Sequence, residues 1–67
     1  MNRPFVSVAI IELETILGNA DHLRGCLGWT DVRAYLSTGY ERRLRVLEAQ
    51  GFKELAGYYA REWGERR

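Results

Sequence analysis

Cysteine, histidine, methionine and proline occur once each in this chain, and each scarcity removes a class of structure. A single thiol, Cys26, closes no internal disulfide, and with His22 it supplies two of the four ligands that a structural zinc site takes. No metal site and no cofactor are expected. Long apolar runs are absent too. The longest, FVSVAII, contains Ser7 and stops at Glu12, far short of the roughly 20 residues of a membrane-spanning helix. Glu12 and Glu14 also spoil the layout of a signal peptide, so the expected location is the cytoplasm, where a lone thiol is ordinary. The alternation of apolar and polar residues that marks a strand is missing throughout, as are linkers, repeats and low-complexity tracts.

A strong charge of one sign is likewise missing. Net charge is +1, which gives the whole molecule little attraction to nucleic acid. The charge is uneven, however. Residues 1 to 31 carry two basic and four acidic side chains, and residues 32 to 67 carry eight and five. An anionic partner would meet the second half.

What is present is apolar surface in helical register. The hydrophobic fraction of 46% is too high for a disordered chain, so this one folds as a single helical domain over residues 1–67. A domain of this size buries a modest share of its surface, which makes self-association the reinforcement left open. Val6, Ala9, Leu13, Ile16, Ala20, Leu23 and Leu27 alternate at spacings of three and four, the pattern of a heptad seam. The seam keeps its phase across Gly18 and predicts one helix over about 5–27. Ile10 and Leu17 widen it beyond what one partner helix covers, while Val8 and Ile11 lie off it. The expected dimer interface is therefore Val6, Ile10, Leu13 and Leu17.

Gly28 suits the left-handed position after a helix, and Thr30 with Asp31 reads as the cap of a second helix over about 31–50. Its core face is Val32, Leu36, Tyr40, Leu44 and Leu47. Within it, Thr38 and Glu41 match a capping box, so STGYERRLR either restarts a helix or lies within one kinked helix. After Gly51, the spacing of Phe52, Leu55, Ala56, Tyr59 and Trp63 predicts a short third helix over about 53–63, with the closing arginines frayed. The fold class is all-α: an antiparallel helical hairpin with a short third helix, completed as a dimer.

No catalytic residues emerge. Neither a Ser-His-Asp set nor a phosphate-binding glycine loop is present, and one helix face carrying His22 and Cys26 offers no oxyanion site, so an enzyme is not expected. LRGCLGWTDVRAYLSTG has the outline of a DNA-reading helix-turn-helix, but Val32 follows the turn too closely and Arg24 stands where a small residue lets the helices touch. LEAQGFKELAGYYA is similar to the turn of a tetratricopeptide unit, and a lone unit of that kind cannot bury its own face. The candidate contact surface is Tyr40, Arg42 and Arg43, with Trp29 as a further anchor, because tyrosine, tryptophan and arginine dominate interface hot spots. Trp29 has a competing role as a plug at the end of the core.

A long first helix, a tight turn near GWTD and a second helix carrying STGYERR together resemble, in format, the small helical proteins that bacteriophages make early in infection to disable host factors, notably the quorum-sensing anti-activators of Pseudomonas phages. That resemblance implies a homodimer in the host cytoplasm that inhibits a LuxR-type quorum-sensing activator by covering its DNA-binding surface. It implies the type IV pilus assembly ATPase as a second target. The expected function is thus a non-enzymatic protein-binding inhibitor. The alternative is a small DNA-binding regulator that sets its basic second half on phosphates.

Overall fold

A computed structural model describes residues 4–67, and among these all regular structure is helical: α1 (Pro4–Leu23), α2 (Trp29–Ala49) and α3 (Lys53–Gly64). The molecule is elongated, 44 × 17 × 15 Å, because α1 and α2 lie along each other and share the largest interface. Shorter α3 packs mainly on α2 and touches α1 less.

Each helix starts and stops for a local reason. Pro4 opens α1, where its missing N–H would have had no helical partner anyway. The helix ends at Leu23, four residues before the seam runs out in the sequence. Its last fully buried residue is Ala20, and Leu27 at the far end of the seam is wholly exposed. Beyond Ala20 little remains to pack against, so α1 stops at Leu23, five residues short of Gly28, which caps the start of α2 and not, as expected, the end of α1. Gly28 adopts φ +81°, and the Val32 amide bonds its carbonyl at 3.0 Å, which makes Gly28 the N-cap of α2, two residues before the expected Thr30.

The capping box is not used, since α2 runs unbroken through Thr38, Gly39 and Glu41. Leu36 before the glycine packs against the core, and Tyr40 and Leu47 after it are buried, so one continuous face of the helix is held on both sides of Gly39. At its end, Gly51 takes φ +92° while its own amide bonds the Glu48 carbonyl and the Phe52 amide bonds the Leu47 carbonyl. Those paired bonds are the Schellman motif, which satisfies carbonyls that a helix end would leave bare.

The core draws Val6, Ala9, Leu13, Leu17 and Ala20 from α1, Tyr40 and Leu47 from α2, and Ala56, Tyr59 and Trp63 from α3. Polar bonds on the aromatic rings then fix α3. The Tyr40 hydroxyl donates to the Tyr59 carbonyl at 2.6 Å, and its ring stacks on Trp63 with centroids 4.6 Å apart. Trp63 in turn donates its indole N–H to Ser37 Oγ at 2.9 Å. Arg33 lies over the Trp63 ring and donates to the Trp63 and Arg66 carbonyls, a cation closing the negative end of α3. Arg66, expected to fray, is instead clamped by Asp21 and Glu62.

Candidate functional site

α3 covers one side of the α1–α2 pair and leaves the other side open. That open face is a groove. Near one end it is lined by Phe5, Val8 and Ala9 of α1 with Val46 of α2, enclosing about 190 Å³. Further along it is lined by Ile16 of α1 with Tyr35, Leu36, Thr38 and Gly39 of α2, enclosing about 400 Å³. Phe5, Val8 and Tyr35 are 74%, 51% and 81% exposed, so this apolar surface meets solvent.

Two arginines stand between the hollows and line both. Arg43 is the organised one. Its Nε and Nη2 donate to the two carboxylate oxygens of Glu12, each at 3.1 Å, in the forked geometry that arginine and a carboxylate make well. Its Nη1 donates back to the Gly39 carbonyl at 3.0 Å. A Cβ built on residue 39 would come within 3.2 Å of that same nitrogen, so the glycine gives the guanidinium room to lie across α2. Arg42 is exposed and, among the described residues, has no acid partner.

The side facing α3 carries a second polar set. Tyr59 donates its hydroxyl to Glu14 Oε2 at 2.6 Å, and burial first, then that hydrogen bond, pushes its pKa up to about 12. Burial likewise raises Tyr40 well above the ordinary phenol value. Arg66 donates to both oxygens of Asp21, which holds the Asp21 carboxyl below its usual value and raises Arg66. These groups join helices to each other, and none is left pointing at solvent unpaired.

No known protein family matches the chain, and neither a curated protein nor a solved structure matches it.

The residues expected from the sequence are therefore divided by the fold. Tyr40 does not project beside Arg43; it is fully buried, because its position on α2 points between α1 and α3. Arg43 lines the groove but is tied to Glu12, and Arg42 is the member of the expected patch that remains free. Trp29 packs against the core at the turn, the plugging role, with its indole N–H buried and without a hydrogen-bond partner among the described residues.

The expected dimer residues fare similarly. Val6, Leu13 and Leu17 are buried in the chain's own core and Ile10 packs against it, so their area is already covered by α2 and α3. His22 and Cys26 do not share a helix face, since α1 ends between them, and the thiol is exposed. Among the described residues no group of three or more His, Cys, Asp or Glu side chains is placed to hold a metal ion. Among the described residues no helix is long and apolar enough to cross a membrane.

Phe5, Val8, Ile16, Tyr35 and Val46 were not singled out in the sequence as a contact surface. One signal was available: Val8 lies off the seam, and an apolar residue off the core face of an otherwise amphipathic helix marks surface that something else can cover. Glu12 carried no such signal, because its partner is 31 positions away.

Proposed function

We propose that this chain is a non-enzymatic protein-binding module, built on an antiparallel α1–α2 hairpin, that acts by occupying the surface of another protein through its open groove. The observation that carries this reading is the groove itself. Exposed Phe5, Val8 and Tyr35 flank an arginine without an acid partner, on a chain whose core is filled by other side chains. Contiguous exposed apolar surface rimmed by polar groups is what protein contact sites look like.

The format shared with phage anti-activators directs the first choice of partner to a bacterial transcription regulator of the LuxR type, and the second to the pilus assembly ATPase, in the host cytoplasm. A DNA-binding role has less to draw on. Arg33, Arg43 and Arg66 of the basic second half are engaged with backbone carbonyls or with Glu12, Asp21 and Glu62, which reduces the charge available to phosphates.

The test is a pull-down from nuclease-treated bacterial lysate with the native chain and a Val8→Ser, Tyr35→Ser variant, followed by reconstitution of any recovered protein from purified components. Both substitutions fall on exposed positions, so helicity should be unchanged. A partner that binds the purified native chain and not the variant supports the reading. Equal binding to both moves the contact off the groove, and retention that needs intact nucleic acid transfers the case to the DNA-binding alternative.

A further inference from the structure

The groove has a pattern along its length that specifies more than a sticky surface. It runs apolar hollow, cationic bridge, apolar hollow, with Arg42 and Arg43 in the shared wall. Glu12 takes up the charge of Arg43 and leaves that of Arg42 in excess at the midpoint. Resting on the protein-binding reading above, we infer that the occupant of this groove is an acidic amphipathic helix. It carries two apolar side chains about two turns apart and a carboxylate between them that meets Arg42.

The spacing follows from helix geometry. Val8 and Ile16 mark the α1 walls of the two hollows, and eight residues at 1.5 Å each separate them by about 12 Å. A helix laid along the groove places residues seven or eight apart at that distance, with the third or fourth residue between them facing Arg42. An extended segment fits less well. The walls are helices whose backbone groups are bonded internally, so a strand laid there finds no backbone partners, whereas a helix satisfies its own.

A second copy of this chain is disfavoured by the position of Arg42. In a two-fold interface each residue near the axis faces its own counterpart. Packing groove on groove would set Arg42 at the midpoint against Arg42, and juxtaposed like charges weaken an interface. An acid on the partner removes that conflict. An anionic membrane is disfavoured by the single excess charge and by Glu12 on the same face, since membrane attraction builds up residue by residue in polybasic clusters.

The experiment is selection of displayed helical peptides of about five turns on the immobilised full-length chain, with the Val8→Ser, Tyr35→Ser variant as the counter-target. Peptides enriched on the native chain alone should carry apolar residues seven or eight apart and an Asp or Glu midway. A synthetic representative should lose about fivefold in affinity when that acid becomes the amide, and about the same on Arg42→Gln. Combining the two changes should cost little more than either one, the signature of a direct pair. Circular dichroism of each variant separates loss of contact from loss of fold.

Enriched peptides without the acid, or binding indifferent to Arg42→Gln, would overturn the inference. So would concentration-dependent self-association abolished by Val8→Ser and Tyr35→Ser, or binding to anionic vesicles in place of peptides. If no helix is enriched while a lysate partner still depends on Val8 and Tyr35, the acidic helix falls and the protein-binding reading stands. If neither binds, both fall.

Discussion

The Arg43 guanidinium holds the Glu12 carboxylate through two bonds of 3.1 Å, and it lies over a helix residue that has no side chain, Gly39. A glycine in the middle of α2 is intrinsically unfavourable by about 1 kcal/mol against alanine. Here it accommodates the arginine that ties α2 to α1 across the open face. Glu12 is 44% exposed, so the ion pair itself stabilises the fold by no more than about 1 kcal/mol. Its larger effect is to set where Arg43 sits and hence to leave Arg42 as the free charge of the groove.

That arrangement predicts different outcomes for alanine at two helical glycines. Gly18 has open space where a Cβ would go, so Gly18→Ala should stabilise the chain by about 0.5–1 kcal/mol. Gly39→Ala should show much less of that gain, because its Cβ crowds Arg43 at 3.2 Å. Urea denaturation of both variants, and of Gly39→Ala combined with Arg43→Ala, checks this. A full gain at Gly39 with Arg43 intact would mean the guanidinium shifts at no cost.

The turn glycines should respond in the opposite sense. Gly28 and Gly51 sit at φ +81° and +92°, a region that costs a residue with a Cβ about 1–2 kcal/mol. For a domain of this size each kcal/mol moves the melting midpoint by roughly 4–8 °C. Thermal melts of Gly28→Ala and Gly51→Ala should therefore fall by several degrees where Gly18→Ala rises.

Tyr40 should behave as a core residue. Tyr40→Phe keeps the stack on Trp63 but removes the bond to the Tyr59 carbonyl, at an expected cost of about 1 kcal/mol. Tyr40→Ala removes the ring as well, and large aromatic truncations in cores cost about 3–5 kcal/mol, enough to unfold much of a small domain. Circular dichroism with denaturant reads both. Helicity and stability unchanged in Tyr40→Ala would return this tyrosine to the surface.

Alkaline pH should loosen the packing of α3. Tyr59 titrates at about 12 in the fold against an ordinary 10.0, and Tyr40 is raised in the same direction. The unfolded chain releases these protons first, so the stability they contribute is complete below pH 10.0 and is lost as pH rises from there through the folded value near 12. Unfolding free energies measured across this window should decline, and the decline should be shallower in Tyr59→Phe. A flat profile would show that neither hydroxyl is held neutral by the fold.

Periodicity alone was enough to read three helices and the inward faces of α2 and α3, with Tyr40, Leu47, Ala56, Tyr59 and Trp63 at helical spacing, whereas Val6, Leu13 and Leu17 were expected in a dimer interface and are buried within the chain. The left-handed glycines at 28 and 51 were legible for the same kind of reason, since the residue type itself favours that backbone, although Gly28 opens α2 and only Gly51 closes a helix. Where α1 ends was not. Leu27 continues the seam in sequence, and only the extent of the packed partner shows that nothing covers it.

The contact surface was the least legible part, because apolar spacing does not distinguish a residue that packs within the chain from one that packs against another molecule. Tyr40 and Arg43 stand three apart in STGYERRLR and were expected to act together, yet one helix rotation sends the ring into the core and the guanidinium to Glu12. The amino-acid sequence by itself determined the helical class, the turn glycines and the apolar stripes, which are local properties of residue type and period. Tertiary structure alone decided which side of the α1–α2 pair α3 would cover, and so which side chains became core and which, with Arg42 among them, became the open groove. That choice depends on bonds between residues 19 to 45 positions apart, such as Tyr40 to Tyr59 and Tyr59 to Glu14, and no local pattern in the chain encodes them.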